Sequence, residues 1–385
     1  MGPRLRSGGR GCSLRRDATG QRPDAFARLD PSPETCGSTT HVSNLFLSLL
    51  AERPWLLADG ATGTNLFARG LATGDAPDLW NLENPAEVRA HYRSFIEAGS
   101  DIVLTNTFGG TANRLKLHKA EGMVRAINAA AARLLKDEIA ATGRPVVAAG
   151  SMGPTGELFE PLGPLTHDQG VAAFKAQAEA LAEGGVDVLW IETLSAEAEV
   201  RAAVEGAAGT GLPIVVTLSF DTNGRTMMGV TPAQWAGLAT SLPTPLAGYG
   251  GNCGVGASEL VAAMIGLSEA SPANAVLVAK SNCGIPAWID GEIVYSGTPE
   301  LMADYARLAR DAGARIVGGC CGTTPTHVAA MKASLDGHTP GPRPSLDEVT
   351  ARLGAVSDGT MRLGLLGPEP SEAAGRRRGR RRASF

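Results

Sequence analysis

Between residues 55 and 335 the chain alternates short apolar runs with longer amphipathic segments. The runs fall at 55–58, 102–105, 146–149, 188–191, 214–218, 246–249, 275–279 and 316–317. They are mostly apolar without alternation, which predicts strands buried on both faces. Helical periodicity follows nearly every run, at 86–98, 112–141, 168–183, 196–208, 232–241, 257–270, 299–311 and 325–335. Pro232, Pro299 and Pro325 each follow a threonine, the pattern of an N-cap with proline in the first helical turn. Gly99, Gly184 and Gly313 sit where helices stop. Eight strand–helix units without a linker predict a single-domain α/β fold, a closed (β/α)8 barrel of the TIM type. An open doubly wound sheet is the alternative. The glycines from 248 to 256 lack the spacing of a dinucleotide-binding fingerprint and come sixth among the units, not first.

The ends of the chain differ from this core. Residues 1–42 are rich in Gly, Arg, Ser and Pro with no hydrophobic period, and are expected to be a disordered extension. Arg15-Arg16 is not followed by an apolar region, and the apolar run 45–50 is too short and too far in for a signal peptide. The folded domain is expected at 43–338, with a C-terminal extension at 339–385. That extension ends in the basic run 376–382, expected to be a solvated tail. The formal charge of −4 conceals this concentration of arginine at the ends. The remainder is acidic, which argues against a nucleic-acid partner. No apolar stretch approaches the ~20 residues of a membrane span. Six cysteines in 385 residues do not make a disulfide framework. A reducing cytoplasm is the expected setting, where clustered thiols bind metal or act in redox chemistry. Association into a homo-oligomer stays open.

In such a barrel, functional side chains gather just beyond the C-terminal ends of the strands. There the first strand supplies Asp59-Gly60, the second Thr105-Asn106-Thr107-Phe108, and the fourth Glu192-Thr193. The sixth supplies Asn252-Cys253, the seventh Asn282-Cys283 and the eighth Cys320-Cys321. Neighbouring side chains of a regular strand point to opposite faces. Cys320 and Cys321 can therefore reach one object only if the backbone leaves β geometry, as the flanking Gly318, Gly319 and Gly322 allow. With the sulfur of the sixth strand nearby, three thiolates can surround Zn²⁺ and leave one tetrahedral position open, as catalytic zinc sites do. A substrate thiol in that position is deprotonated at neutral pH without a general base. Asp59 and Glu192 beside it suit a substrate ammonium group. Three other readings compete: small buried cysteines filling strand ends, a redox pair, and a structural zinc site that includes Cys283. For Asp59 the competing reading is a turn-forming Asp-Gly pair, and for Glu192 a salt bridge.

Four segments together resemble the homocysteine S-methyltransferases over residues 55–335. They are Leu57-Ala58-Asp59-Gly60-Ala61-Thr62-Gly63-Thr64, Thr105-Asn106-Thr107-Phe108-Gly109, Gly251-Asn252-Cys253 and Gly318-Gly319-Cys320-Cys321-Gly322. The resemblance implies zinc held by Cys253, Cys320 and Cys321, and homocysteine with its sulfur on that zinc. It also implies an amino group near Glu192 and Asp59, with Gly60, Thr105 and Asn252 in the same pocket. Cys283 matches no ligand of the family and is expected in the pocket wall.

Family members differ in methyl donor: betaine, S-methylmethionine, S-adenosylmethionine or a methylcorrinoid carried by further domains. At this length the chain is expected not to hold cobalamin and folate domains. Gly153-Pro154-Thr155-Gly156 and Ser296-Gly297-Thr298-Pro299-Glu300 look closest to bacterial members of the betaine-using branch, so betaine is the expected donor. The tyrosines of the animal betaine enzyme are replaced by Gly109 and Thr193. A cation cage would fall to Trp80, Phe108 and Phe159.

Overall fold

The computed structural model describes residues 44–366, except 222, 285, 290 and 291. The N-terminal extension and the basic tail lie outside the described residues. Ten strands follow in chain order among those described: β1 (Leu56–Leu57), β2 (Ile102–Leu104), β3 (Val147–Met152), β4 (Val188–Leu194), β5 (Ile214–Leu218), β6 (Gly248–Cys253), β7 (Leu277–Ser281), β8 (Pro286–Ile289), β9 (Glu292–Tyr295) and β10 (Ala314–Gly319). Eight are parallel and pair in the order β1-β10-β7-β6-β5-β4-β3-β2. A parallel bridge between Ala58 and Ile102 closes the ring, helped by Asp59 N–H donating to the Ile102 carbonyl at 3.0 Å. The fold is thus the expected (β/α)8 barrel, with β8 and β9 forming an antiparallel hairpin between β7 and β10.

Strand alternation divides the core in two. Leu56, Ile102, Leu104, Val147, Val188, Trp190, Val215, Val278 and Ile316 fill the barrel interior. Their sequence neighbours, such as Leu57, Val103, Leu189, Val216 and Val317, face the outer helices. The chain upstream of β1 was not predicted as an element, yet it forms helix Leu45–Glu52. Asn44 caps that helix and donates through Nδ2 to the Asp187 carbonyl at 2.7 Å. Phe46, Leu49 and Leu50 are buried in the interior cluster and close the N-terminal end of the barrel.

Two further features depart from the periodicity. The single helix expected at 112–141 is interrupted: Ala112–Leu115 ends in tight turns, Lys119 takes a left-handed φ of 58°, and the regular helix is Val124–Thr142. The break lets Leu115, Ala120 and Ile127 bury one another in a cluster of their own with Leu79 and Val124, a tertiary gain that overrides local propensity. Beyond 338, helices Leu346–Leu353 and Asp358–Leu366 pack against helix Ala257–Ala270. There Ser258 Oγ donates to the Ala355 carbonyl at 3.0 Å, and Glu259 accepts from Ser357 N–H and Thr360 Oγ. No helix among the described residues is long and apolar enough to cross a membrane.

The glycines of β10 are required by packing. A Cβ on Gly318 would stand 2.8 Å from Ala58 Cβ and 3.0 Å from the Ala58 carbonyl oxygen. Gly318→Ala is expected to destabilise the barrel by roughly 1–3 kcal/mol through overpacking, read as a lower urea midpoint at unchanged m-value.

Candidate active site

The alternation that buries Ala149, Trp190, Val215 and Val278 inside the barrel carries two residues further to Ser151, Glu192, Thr217 and Lys280. The uppermost interior layer is therefore polar, and all four are buried. Lys280, only 1% exposed, was not anticipated among the site residues. Its Nζ lies 2.6 Å from Asp59 Oδ1 and 5.7 Å from the centroid of the Trp190 ring. Asp59 Oδ2 accepts from Leu104 N–H at 2.7 Å. Glu192 Oε1 accepts from Ser151 Oγ at 2.6 Å, and its second oxygen takes no hydrogen bond from the described residues. Burial pulls the Lys280 pKa down, but Asp59 and Glu192 outweigh it and hold the ammonium above its ordinary value. Burial in turn pushes the Glu192 carboxyl above the usual range, against the pull of Lys280 and Ser151.

The three sulfurs meet because the backbone leaves strand geometry at each. Cys253, the last residue of β6, has a φ of 61°. β10 ends at Gly319, so Cys320 and Cys321 lie in the turn beyond it. Gly322 continues that turn with a φ of 77°, and Tyr295 of the hairpin packs on its bare α-carbon. Cys320 N–H donates to the Ser281 carbonyl at 2.6 Å, and Cys283 N–H to the Cys321 carbonyl at 2.9 Å, tying the turn to the end of β7. All three Sγ atoms lie within 4.8 Å of one another, with Cys253 and Cys321 at 3.9 Å. Among the described residues this is the one such group of His, Cys, Asp or Glu able to hold a metal ion. A hydrogen bond with Cys253 foremost, and burial after it, hold the Cys320 thiol well above its ordinary value. Such a set of closely packed soft donors fits a thiophilic cation.

Asn252 is the brace behind them. Its Oδ1 accepts from Thr193 N–H at 2.9 Å and Thr217 Oγ at 2.7 Å. Its Nδ2 donates to Thr193 Oγ at 2.7 Å and reaches Cys320 Sγ at 3.7 Å. These bonds fix Thr193 in a left-handed φ of 64°, a conformation costly for a β-branched residue.

Gly60, Thr105, Glu192, Cys253, Cys320 and Cys321 all line one cavity of about 370 Å³. Asp59 and Asn252, expected beside the substrate, are not in that lining: the first is paired with Lys280, the second engaged with Thr193 and Thr217. Cys283 is also outside that wall and outside the sulfur cluster; its Sγ packs at the Gly297 carbonyl, 3.3 Å away. Of the three aromatic residues expected in a cage, only Phe108 lines the cavity. Trp80 packs against the outer core, and Phe159 belongs to a separate cluster with Leu165 and Ala202. Phe67, unanticipated, joins Phe108 in the cavity wall.

Residues 56–335, spanning the barrel, match the family model described as Homocysteine S-methyltransferase. The chain belongs to the homocysteine S-methyltransferase family. The methionine synthases of Mycobacterium tuberculosis and Mycobacterium leprae are each 29% identical over 305 residues, 75% of this chain. The chain spans only 25% of their length. Among solved structures, the homocysteine methyltransferase MmuM from Escherichia coli is similar in its metallated form (TM-score 0.63) and its oxidised form (TM-score 0.64). Both are 26% identical, and the likeness covers 75% of this chain and 99% of MmuM. This family member carries its three sulfurs at the ends of β6 and β10, and the buried Lys280 on β7 between them.

Lys280→Met strands two buried carboxylates without a cation. It is expected to cost about 3–5 kcal/mol of stability, measured by urea unfolding. Adding Asp59→Asn removes one of the stranded charges and should recover part of that loss.

Proposed function

We propose that the chain transfers a methyl group from betaine to the sulfur of homocysteine, giving methionine and dimethylglycine, with zinc held by Cys253, Cys320 and Cys321. The observation that carries this reading is the convergence of three sulfurs on a cavity that also presents Glu192. Zinc bound by three thiolates lowers the pKa of an incoming thiol, so that the substrate sulfur is a nucleophile at neutral pH.

The residues around the metal site supply position and charge. Asp59 and Glu192 bring two carboxylates, and Lys280 brings one cation. The balance is one negative charge, which a substrate ammonium group neutralises. Of these two carboxylates it is Glu192 that lines the cavity, with one oxygen held by Ser151. It is the residue we assign to that ammonium. The homocysteine sulfur attacks the donor methyl carbon in line; the new C–S bond forms as the methyl–nitrogen bond breaks, and that electron pair leaves on dimethylglycine. No general base is needed, and none is assigned.

S-methylmethionine is the second reading for the donor, favoured by a specific feature. The cavity is lined by two aromatic side chains, Phe67 and Phe108. The space a side chain at Gly109 would take is filled by Asp78, whose Oδ2 would lie 2.9 Å from a Cβ there. That is fewer aromatic faces than a quaternary ammonium cage prefers.

The test is methionine formation by zinc-loaded protein from homocysteine and each of betaine, S-methylmethionine and S-adenosylmethionine, with and without a chelator. Betaine turnover that the chelator abolishes is expected. Turnover with S-methylmethionine and none with betaine would overturn the donor assignment; full activity after the metal is stripped would overturn the zinc role. Cys253→Ala is expected to lose both bound zinc and activity, and retained turnover would sink the mechanism.

A further inference from the structure

The cavity that carries the sulfurs also carries two charges the reaction described above leaves unused, Asp78 and Arg114. Asp78 lies in the turn Pro77–Leu79 and is only 5% exposed. Its Oδ1 accepts from Gly109 N–H at 2.9 Å. The turn is stitched to the rim beyond β2 on both sides: Asn81 Nδ2 donates to the Asn106 carbonyl at 2.7 Å, and Asn106 Nδ2 donates to the Pro77 carbonyl at 2.7 Å. The carboxylate is thus fixed in the wall and forms no ion pair among the described residues. Burial pushes its carboxyl up to about 6, with the backbone hydrogen bonds and Arg114 opposing.

Arg114 is half-buried on the same wall. Its guanidinium rests on the bare α-carbon of Gly156, where a Cβ would approach Nη1 to 3.0 Å. Among the described residues it makes no side-chain hydrogen bond and no ion pair. Arg114 is near enough to act on the Asp78 charge, yet no ion pair joins them among the described residues, so both keep hydrogen-bonding capacity for a ligand. A single ligand carrying both a cation and a carboxylate satisfies the two together, and the aromatic faces of Phe67 and Phe108 add to the attraction for an onium centre.

We propose that Asp78 and Arg114 form the donor subsite, Asp78 facing the onium cation and Arg114 binding the carboxylate of one small zwitterionic donor. The proposal rests on the methyltransferase reading and narrows it. The donor class is a quaternary ammonium or sulfonium compound with its own carboxylate, rather than a simple onium cation or a methylcorrinoid delivered by a protein. The two residues act differently. The donor's carboxylate keeps its charge throughout, so Arg114 contributes uniform binding. The positive charge leaves the donor as the methyl moves, so Asp78 stabilises the ground state more than the transition state.

The experiment compares wild type, Arg114→Gln and Asp78→Asn with betaine and S-methylmethionine, and with two onium compounds lacking a carboxylate, choline and trimethylsulfonium. For whichever zwitterion turns over, Arg114→Gln is expected to raise the donor KM by roughly tenfold or more, the loss of one charge-assisted contact. The homocysteine KM should move far less. The same variant should erase the wild-type preference for zwitterions over the carboxylate-free compounds. Asp78→Asn should raise the donor KM without an equal fall in kcat. A homocysteine KM that rises as much as the donor KM would overturn the proposal, because the pair would then serve the acceptor. An unchanged preference in Arg114→Gln would overturn it too. If no donor is turned over, the methyltransferase reading fails separately. Calorimetric binding of betaine and S-methylmethionine then decides the subsite: affinity lost in Arg114→Gln supports it, and no binding to wild type, or equal binding to both proteins, refutes it.

Discussion

Lys280 brings a full positive charge into a barrel interior whose lower layers are apolar, Trp190 among them. The interior can hold that charge only because Asp59 and Glu192 are brought to it from β1 and β4. Partners so deeply buried tolerate little displacement, since a charge left unpaired there is far costlier than at a surface. Asp59 answers with both oxygens, one to Lys280 and one to Leu104 N–H. The ends of three strands are thereby locked in relative position at the level of the sulfurs. Glu192 keeps one oxygen in reserve, and that asymmetry makes it the residue of the pair able to meet a ligand.

Around this electrostatic centre, the convergence of the sulfurs is a backbone problem solved locally. Regular strands would send Cys320 and Cys321 to opposite faces, so β10 stops before them. Cys253 and Thr193 adopt left-handed conformations that their side chains resist. Asn252 holds Thr193 and reaches Cys320 with one amide group, so the local strain and the sulfur geometry share a single support. Strain of this kind persists only where surrounding bonds over-determine it.

Most of the fold was legible in the sequence because strands buried on both faces and helices with one apolar stripe leave distinct patterns. The cysteine cluster was legible because Cys253, Cys320 and Cys321 mark strand ends on one rim. Lys280 was missed because an apolar-run criterion stops strand seven at Ala279; counting by two from Val278 along the alternation would have found it. Asp59 was legible as a residue of the first strand end, while its pairing with Lys280 was not, because that partner lies outside the apolar run. Asp78, Arg114 and Phe67 come from one- or two-turn helical pieces, Pro77–Leu79, Ala112–Leu115 and Gly63–Phe67, too short for periodicity to say which way a side chain faces. Trp80 and Phe159 do not line the cavity. Their aromatic character was visible, while the surface they face was decided by packing.

Helix Leu45–Glu52 gives the barrel a meaning that its strands alone do not supply. The stretch that matches the family begins at residue 56, whereas the residues that shut the N-terminal end of the interior, Phe46, Leu49 and Leu50, precede it. A domain boundary drawn by likeness and one drawn by water exclusion therefore differ by one helix. Cut at the first boundary, the packed interior loses its apolar cover, and the lowest layer of side chains, Leu56 and Ile316 among them, is left facing water. Cut at the second, that layer stays covered by Phe46, Leu49 and Leu50.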